Sequence, residues 1–146
     1  MKKILLAVAL LLTIATSAFA SKDKAITFNQ LPGKAQTFIK SYFAKVDVSF
    51  AKMDKEIFDT EYKVLLTDGT KLEFDGNGEW KSVDCRYADV PGDIVPQQIR
   101  KLVEQKYPGT KIIKIEKEDR GRIEVKISNR FKLEFDSSYR LIDMDD

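Results

Sequence analysis

Residues 71–75 read KLEFD, and residues 132–136 read KLEFD again. An identical stretch with alternating apolar and charged positions is a strong constraint on the fold, because it demands the same local environment twice in a short chain. The similarity extends well beyond five residues. At an offset of 64, LPGKAQTFIKSYFAKVDVSFAKMD (31–54) lies over VPQQIRKLVEQKYPGTKIIKIEKE (95–118) without a gap. Leu31-Pro32 falls on Val95-Pro96, Phe38-Ile39 on Leu102-Val103, and Phe43 on Tyr107. Apolar residues recur at +4, +7, +8 and +12 in both copies, which is one face of a helix. Two helices of about twelve residues are expected, each with its proline in the first turn, where a missing N–H costs nothing.

Beyond the helices the offset becomes 61: Tyr62, Val64 and Leu66 fall on Ile123, Val125 and Ile127, KLEFD on KLEFD, and Trp80 on Leu141. The three-residue difference places an insertion in the turn DKEIFDTE (54–61), shortened to EDRGR (118–122) in the second copy. Turns absorb such changes, whereas strands would slip register. TEYKVLLT (60–67) and RIEVKIS (122–128) alternate with the period of half-buried strands. Strands are also read at 46–53, 79–85, 110–117 and 139–144. In the first of these Val48 and Phe50 alternate, but in its counterpart Ile113 and Ile115 do, so the buried face is left open. Asp68-Gly69 and Asp75-Gly76-Asn77-Gly78 read as tight turns, the latter of type I′ character, matched by Asn129-Arg130 and Asp136-Ser137-Ser138.

The expected fold class is therefore α+β: two tandem helix-plus-antiparallel-meander repeats forming one continuous curved antiparallel sheet, with two helices on one face. Leu72, Phe74, Leu133 and Phe135 should point into the core, and the Lys, Glu and Asp of KLEFD away from it. Repeat one spans 28–85, the linker 86–93 and repeat two 94–146. Each unit of about 60 residues is marginal alone, so the two are expected to form a single domain, 21–146.

Residues 1–20 are expected to be a signal peptide: Lys2 and Lys3, an apolar run from Ile4 to Ala15, and an Ala18-Phe19-Ala20 cleavage site. The run is shorter than the roughly 20 residues that a membrane-spanning helix needs, and the expectation is a periplasmic or secreted chain cleaved after Ala20, without a stable membrane anchor. Taking residues 1–20 off the 146 leaves 126, and the loss of Lys2 and Lys3 lowers 25 basic residues to 23, equal to the 23 acidic ones. A neutral chain of interspersed charges has no field suited to nucleic acid.

The strand TEYKVLLTDGTKLEFDGNGEW, the helices opening with Leu31-Pro32 or Val95-Pro96, and Tyr107-Pro108-Gly109 resemble the PepSY-like, β-lactamase-inhibitor-like proteins of Gram-negative periplasms. DGTKLEFDGNGEW (68–80) carries the resemblance most specifically, and NRFKLEFDSSYRL lacks its glycines. The resemblance implies a curved antiparallel sheet with helices on one face, and an association with binding or inhibiting secreted peptidases. It supplies no catalytic residues.

The residues themselves point the same way. No histidine is present, which excludes the usual Ser or Cys triads. Zinc would need His or several Cys. In the loop starting at Asp75, the sixth and twelfth positions of a calcium-binding EF loop are Trp80 and Arg86 instead of Gly and Glu. No cofactor is expected. The single cysteine, Cys85, has no partner for an internal disulfide and reads as a partly buried small side chain. What remains is surface for another envelope protein or peptide. The candidate contacts are aromatic and apolar residues outside the core pattern: Ile57 and Phe58 in the first-copy insertion, Trp80, Tyr87 in the linker, and Tyr139. Inhibition of a secreted hydrolase, and carriage of a small ligand between sheet and helices, are the alternatives.

Overall fold

The computed structural model describes residues 23–146, and the expected signal peptide lies outside the described residues. The elements are β1 (Asp23–Ile26), α1 (Gly33–Tyr42), β2 (Val48–Lys55), β3 (Thr60–Leu66), β4 (Lys71–Asp75), β5 (Trp80–Asp84), α2 (Gln97–Lys106), β6 (Ile112–Lys117), β7 (Ile123–Ile127), β8 (Lys132–Phe135) and β9 (Leu141–Asp145). All nine strands form one antiparallel sheet in chain order, and the β5–β6 pairing joins the first helix-and-four-strand series to the second. β1 lies ahead of the expected start at 28. Asp-Lys-Ala-Ile carries too little alternation to read as a strand, and pairing with β2 makes it one.

One transverse row explains the core. Ile26, Ala51, Val64, Leu72, Val83, Ile115, Val125, Leu133 and Met144 stand opposite one another from β1 to β9. The seven internal members are buried, and they share a cluster with Ala35 and Ile39 of α1 and with Ile99 and Val103 of α2. Both helices therefore cover the same face. Each helix has ten residues rather than about twelve, and Pro32 and Pro96 sit at the N-caps, one position earlier than expected. The open face carries the neighbouring row, which includes Lys63, Glu73, Glu116, Glu124 and Glu134.

The repeated pentapeptide now has a physical account. Leu72, Phe74, Leu133 and Phe135 are all buried under the helices. The aspartate does more than face solvent. Asp75 Oδ1 accepts hydrogen bonds from the N–H groups of Asn77 (2.9 Å) and Glu79 (3.0 Å), and Asp136 Oδ1 accepts from Ser138 (2.9 Å) and Arg140 (3.0 Å). Each carboxylate ties the turn that follows its strand. These turns are not type I′, which needs positive φ at both central residues. Only the fourth residue is left-handed, Gly78 at φ +87° and Tyr139 at +62°, as in a type I turn closed by a bulge.

Bulges also resolve the discord between Val48/Phe50 and Ile113/Ile115. The register shifts between Val48 and Phe50 on β2, and between Ile112 and Lys114 on β6. One extra residue turns alternation over at the same place in both series. Val48 and Ala51 face the helices, as do Ile112 and Ile115, while Phe50 emerges half-exposed on the open face.

Candidate functional site

The three-residue insertion takes the form of a longer hairpin. β2 has eight residues against six in β6, and its pairing with β3 runs out to Lys55 and Thr60, one pair beyond the Glu61–Asp75 pairing of β3 with β4. The Glu56 N–H bonds the Asp59 carbonyl at 2.8 Å, leaving Ile57 and Phe58 as the two residues of the tip. They are 79% and 99% exposed, and Phe58 is the most exposed large apolar side chain among the described residues. The shorter 118–122 turn has no counterpart to this tip, and among the described residues neither side chain joins the core cluster.

The tip wears an acidic collar. Asp54, Glu56, Asp59 and Glu61 line a small cup of about 110 Å³ in the hairpin. Asp54 stands directly opposite Glu61, and Glu61 opposite Asp75, so like charges face each other across three strands. Such pairs are destabilising, and Lys81 offsets them by pairing with Glu61.

The other candidates are not gathered at this tip. Trp80 opens β5 at the same end of the sheet, half-buried rather than free. Its ring packs near Phe38 (centroids 6.4 Å apart) and lies under Lys117 Nζ at 4.0 Å, a cation–π contact. Tyr139, 39% exposed, also lies at this end, in the β8–β9 turn. Five strand spacings separate β8 from β3, about 24 Å. Tyr87, 85% exposed, follows β5 and so lies at the opposite end. There it borders an open-face hollow of about 310 Å³ with Arg86, Lys114, Lys126 and Lys132, balanced by Asp84 and Glu124. Sequence reading missed this basic group because Lys114, Lys126 and Lys132 become neighbours only through the β6–β7–β8 register.

Burial, reinforced by Asp68, Asp84 and Asp89, pushes the Cys85 thiol up to about 11, against a hydrogen bond with Thr70 acting the other way. At neutral pH it is a protonated thiol, a poor nucleophile. The Asp75 carboxylate is committed to backbone N–H groups of its own turn. Among the described residues no three His, Cys, Asp or Glu side chains are grouped to hold a metal ion, and no helix is long and apolar enough to cross a membrane.

An α+β module with one helix-covered and one open sheet face, and with an exposed apolar hairpin tip, is the class these features define. Residues 60–143 match the model of a family described as "Putative beta-lactamase-inhibitor-like, PepSY-like". The chain belongs to this PepSY-like family. Among solved structures it is similar to a "putative periplasmic protein" of the DUF2874 family from Bacteroides vulgatus, at 46% identity and TM-score 0.82, over 87% of this chain and 99% of that one. A "putative calcium-regulated periplasmic protein" from Bacteroides thetaiotaomicron shows 44% identity and TM-score 0.81, over 85% and 97%. A second Bacteroides vulgatus periplasmic protein, described as of unknown function, shows 34% identity and TM-score 0.80, over 85% and 99%. No curated protein matches the chain.

Proposed function

We propose that this protein is a periplasmic, non-enzymatic binding module that docks another envelope protein or a peptide through the β2–β3 tip. The observation that carries the reading is the pair Ile57 and Phe58, which lie at the end of an extended hairpin and take no part in the core. Large apolar side chains held out on a hairpin turn gain by burial in a partner's pocket. The acidic collar gives the partner's chemistry: an apolar pocket with a basic rim. The periplasmic descriptions of the related structures support the location.

The test begins with a crosslinking pull-down by the mature chain from periplasmic extract, followed by titration of the captured partner. Full burial of a Phe side chain contributes on the order of 2 kcal/mol, so Phe58→Ala should weaken binding about 30-fold. Unchanged affinity removes the tip from the interface. A second reading, inhibition of a secreted hydrolase, is favoured by the same protruding tip and by the family's inhibitor-like description. Loss of hydrolase activity on adding the chain, restored with Phe58→Ala, would select it.

A further inference from the structure

The two helices each overhang a cleft beside the sheet, and the two clefts correspond residue by residue at the 64-residue offset. Ile39, Val46 and Val48 line the first, and Val103, Thr110 and Ile112 the second. Two replacements make the second cleft chemically different. Phe28 of the first becomes Gly92, which removes a ring from the wall. Gln36 of α1 becomes Arg100 of α2. The Gln36 amide is satisfied internally, donating to the carbonyls of Leu31 (2.8 Å) and Asn29 (3.2 Å). The Arg100 guanidinium is not. It lies over Gly92, where an added Cβ would stand 3.1 Å from Nη1. Among the described residues its Nε is buried without an acceptor, and no carboxylate forms an ion pair with the side chain. The Arg100 side chain also lines the cleft, its charge is permanent, and a planar carboxylate is the acceptor that matches a guanidinium fork.

The remaining lining completes a ligand. Val90, Val95, Val103 and Ile112 form an aliphatic wall, and Asp89 and Glu104 place two negative charges at the same cleft. The volume, about 300 Å³, is at the lower end of the range for small-molecule sites. A peptide's carboxyl end would offer only a neutral amide to those acids, whereas a free amino acid offers an ammonium group. We propose that the cleft between α2 and the segment 89–95 is a binding site for a small zwitterionic α-amino acid with an aliphatic side chain: carboxylate on Arg100, ammonium facing Asp89 and Glu104, side chain on the valines. This site is separate from the hairpin tip and does not depend on that reading.

The experiment is calorimetric titration of the purified chain with leucine, leucinamide and N-acetylleucine, together with thermal melting at each ligand. Leucine should bind and raise the melting temperature. Leucinamide, lacking the carboxylate, and N-acetylleucine, lacking the ammonium, should each bind at least about tenfold more weakly, the worth of one charge-assisted pair. Arg100→Gln places in α2 the residue that α1 already carries, and should melt normally while losing leucine binding to the same extent. The double variant Asp89→Asn/Glu104→Gln should weaken leucine but not N-acetylleucine, whose lone carboxylate gains when two like charges are removed. Absence of leucine binding at millimolar concentration, equal binding by Arg100→Gln, or N-acetylleucine binding as tightly as leucine would each overturn the proposal.

Discussion

Phe74→Ala measures the helix-to-sheet core directly. Phe74 is fully buried, stands opposite Tyr62 on β3 and Trp80 on β5, and meets the Phe38 ring of α1 edge-on at a centroid distance of 5.5 Å. Truncation removes the ring's transfer free energy and leaves a cavity whose walls are strands on both sides and a helix above, none free to collapse. Buried Phe→Ala changes of this kind cost about 3–5 kcal/mol. With a urea m-value of about 2 kcal/mol/M, the unfolding midpoint should fall by roughly 1.5–2.5 M at unchanged m. The melting temperature should fall by about 12–20 °C for a domain of this size. Phe135→Ala, equally buried in the second KLEFD, should cost the same within a factor of two. Phe58→Ala should stay within about 0.5 kcal/mol of the parent, as a solvated surface change does. A loss below about 1 kcal/mol for Phe74→Ala, or one above it for Phe58→Ala, would refute the division into core and tip.

Four further outcomes follow from particular contacts. Gly78→Ala must adopt φ +87° and bring a Cβ to 2.8 Å from Pro32 Cβ and 3.0 Å from the Ala35 nitrogen, so it should destabilise by about 2–4 kcal/mol in urea titration. Gly76→Ala, with only an ordinary contact to the Thr60 carbonyl, should be near neutral. Cys85, at about 11 against an ordinary 9.0, has a hundredfold lower thiolate fraction at pH 8, so a disulfide reagent should label it about 100 times more slowly in the folded chain than after unfolding. Backbone N–H groups of Arg140 and Ser138, with the Arg140 charge, hold Asp136 below the usual 3.8 against desolvation. A lowered folded pKa stabilises above the unfolded value, and that contribution is lost as pH falls through the folded one. Melting curves from pH 6 to pH 2 should therefore fall less steeply for Asp136→Asn than for the parent.

The helices, the two meanders and the core positions of KLEFD were legible in the sequence because each depends on local periodicity, and each occurs twice. What was not legible depends on pairing. β1 has no pattern of its own and exists through β2. The bulges at Val48/Phe50 and Ile112/Lys114 shift register without any residue that announces them. The exposure of Ile57 and Phe58 was legible because an insertion has no duplicate and owes nothing to the shared core. Trp80 was ambiguous for the opposite reason: an aromatic at a strand start serves packing and surface alike, and Phe38 and Lys117 hold it half-buried. Arg100 escaped notice because a charged residue in a first helical turn ordinarily faces solvent, and only the tertiary contact with Gly92 turns it inward.

The docking account is tested most directly by placing a photo-crosslinking amino acid at position 58 of the full chain and irradiating intact cells, with position 87 as the control at the other end of the sheet. The account predicts a discrete crosslinked species from position 58 that is absent, or different in partner, from position 87. Crosslinking from position 87 and none from position 58 would contradict it and move the interface to the basic hollow beside Tyr87.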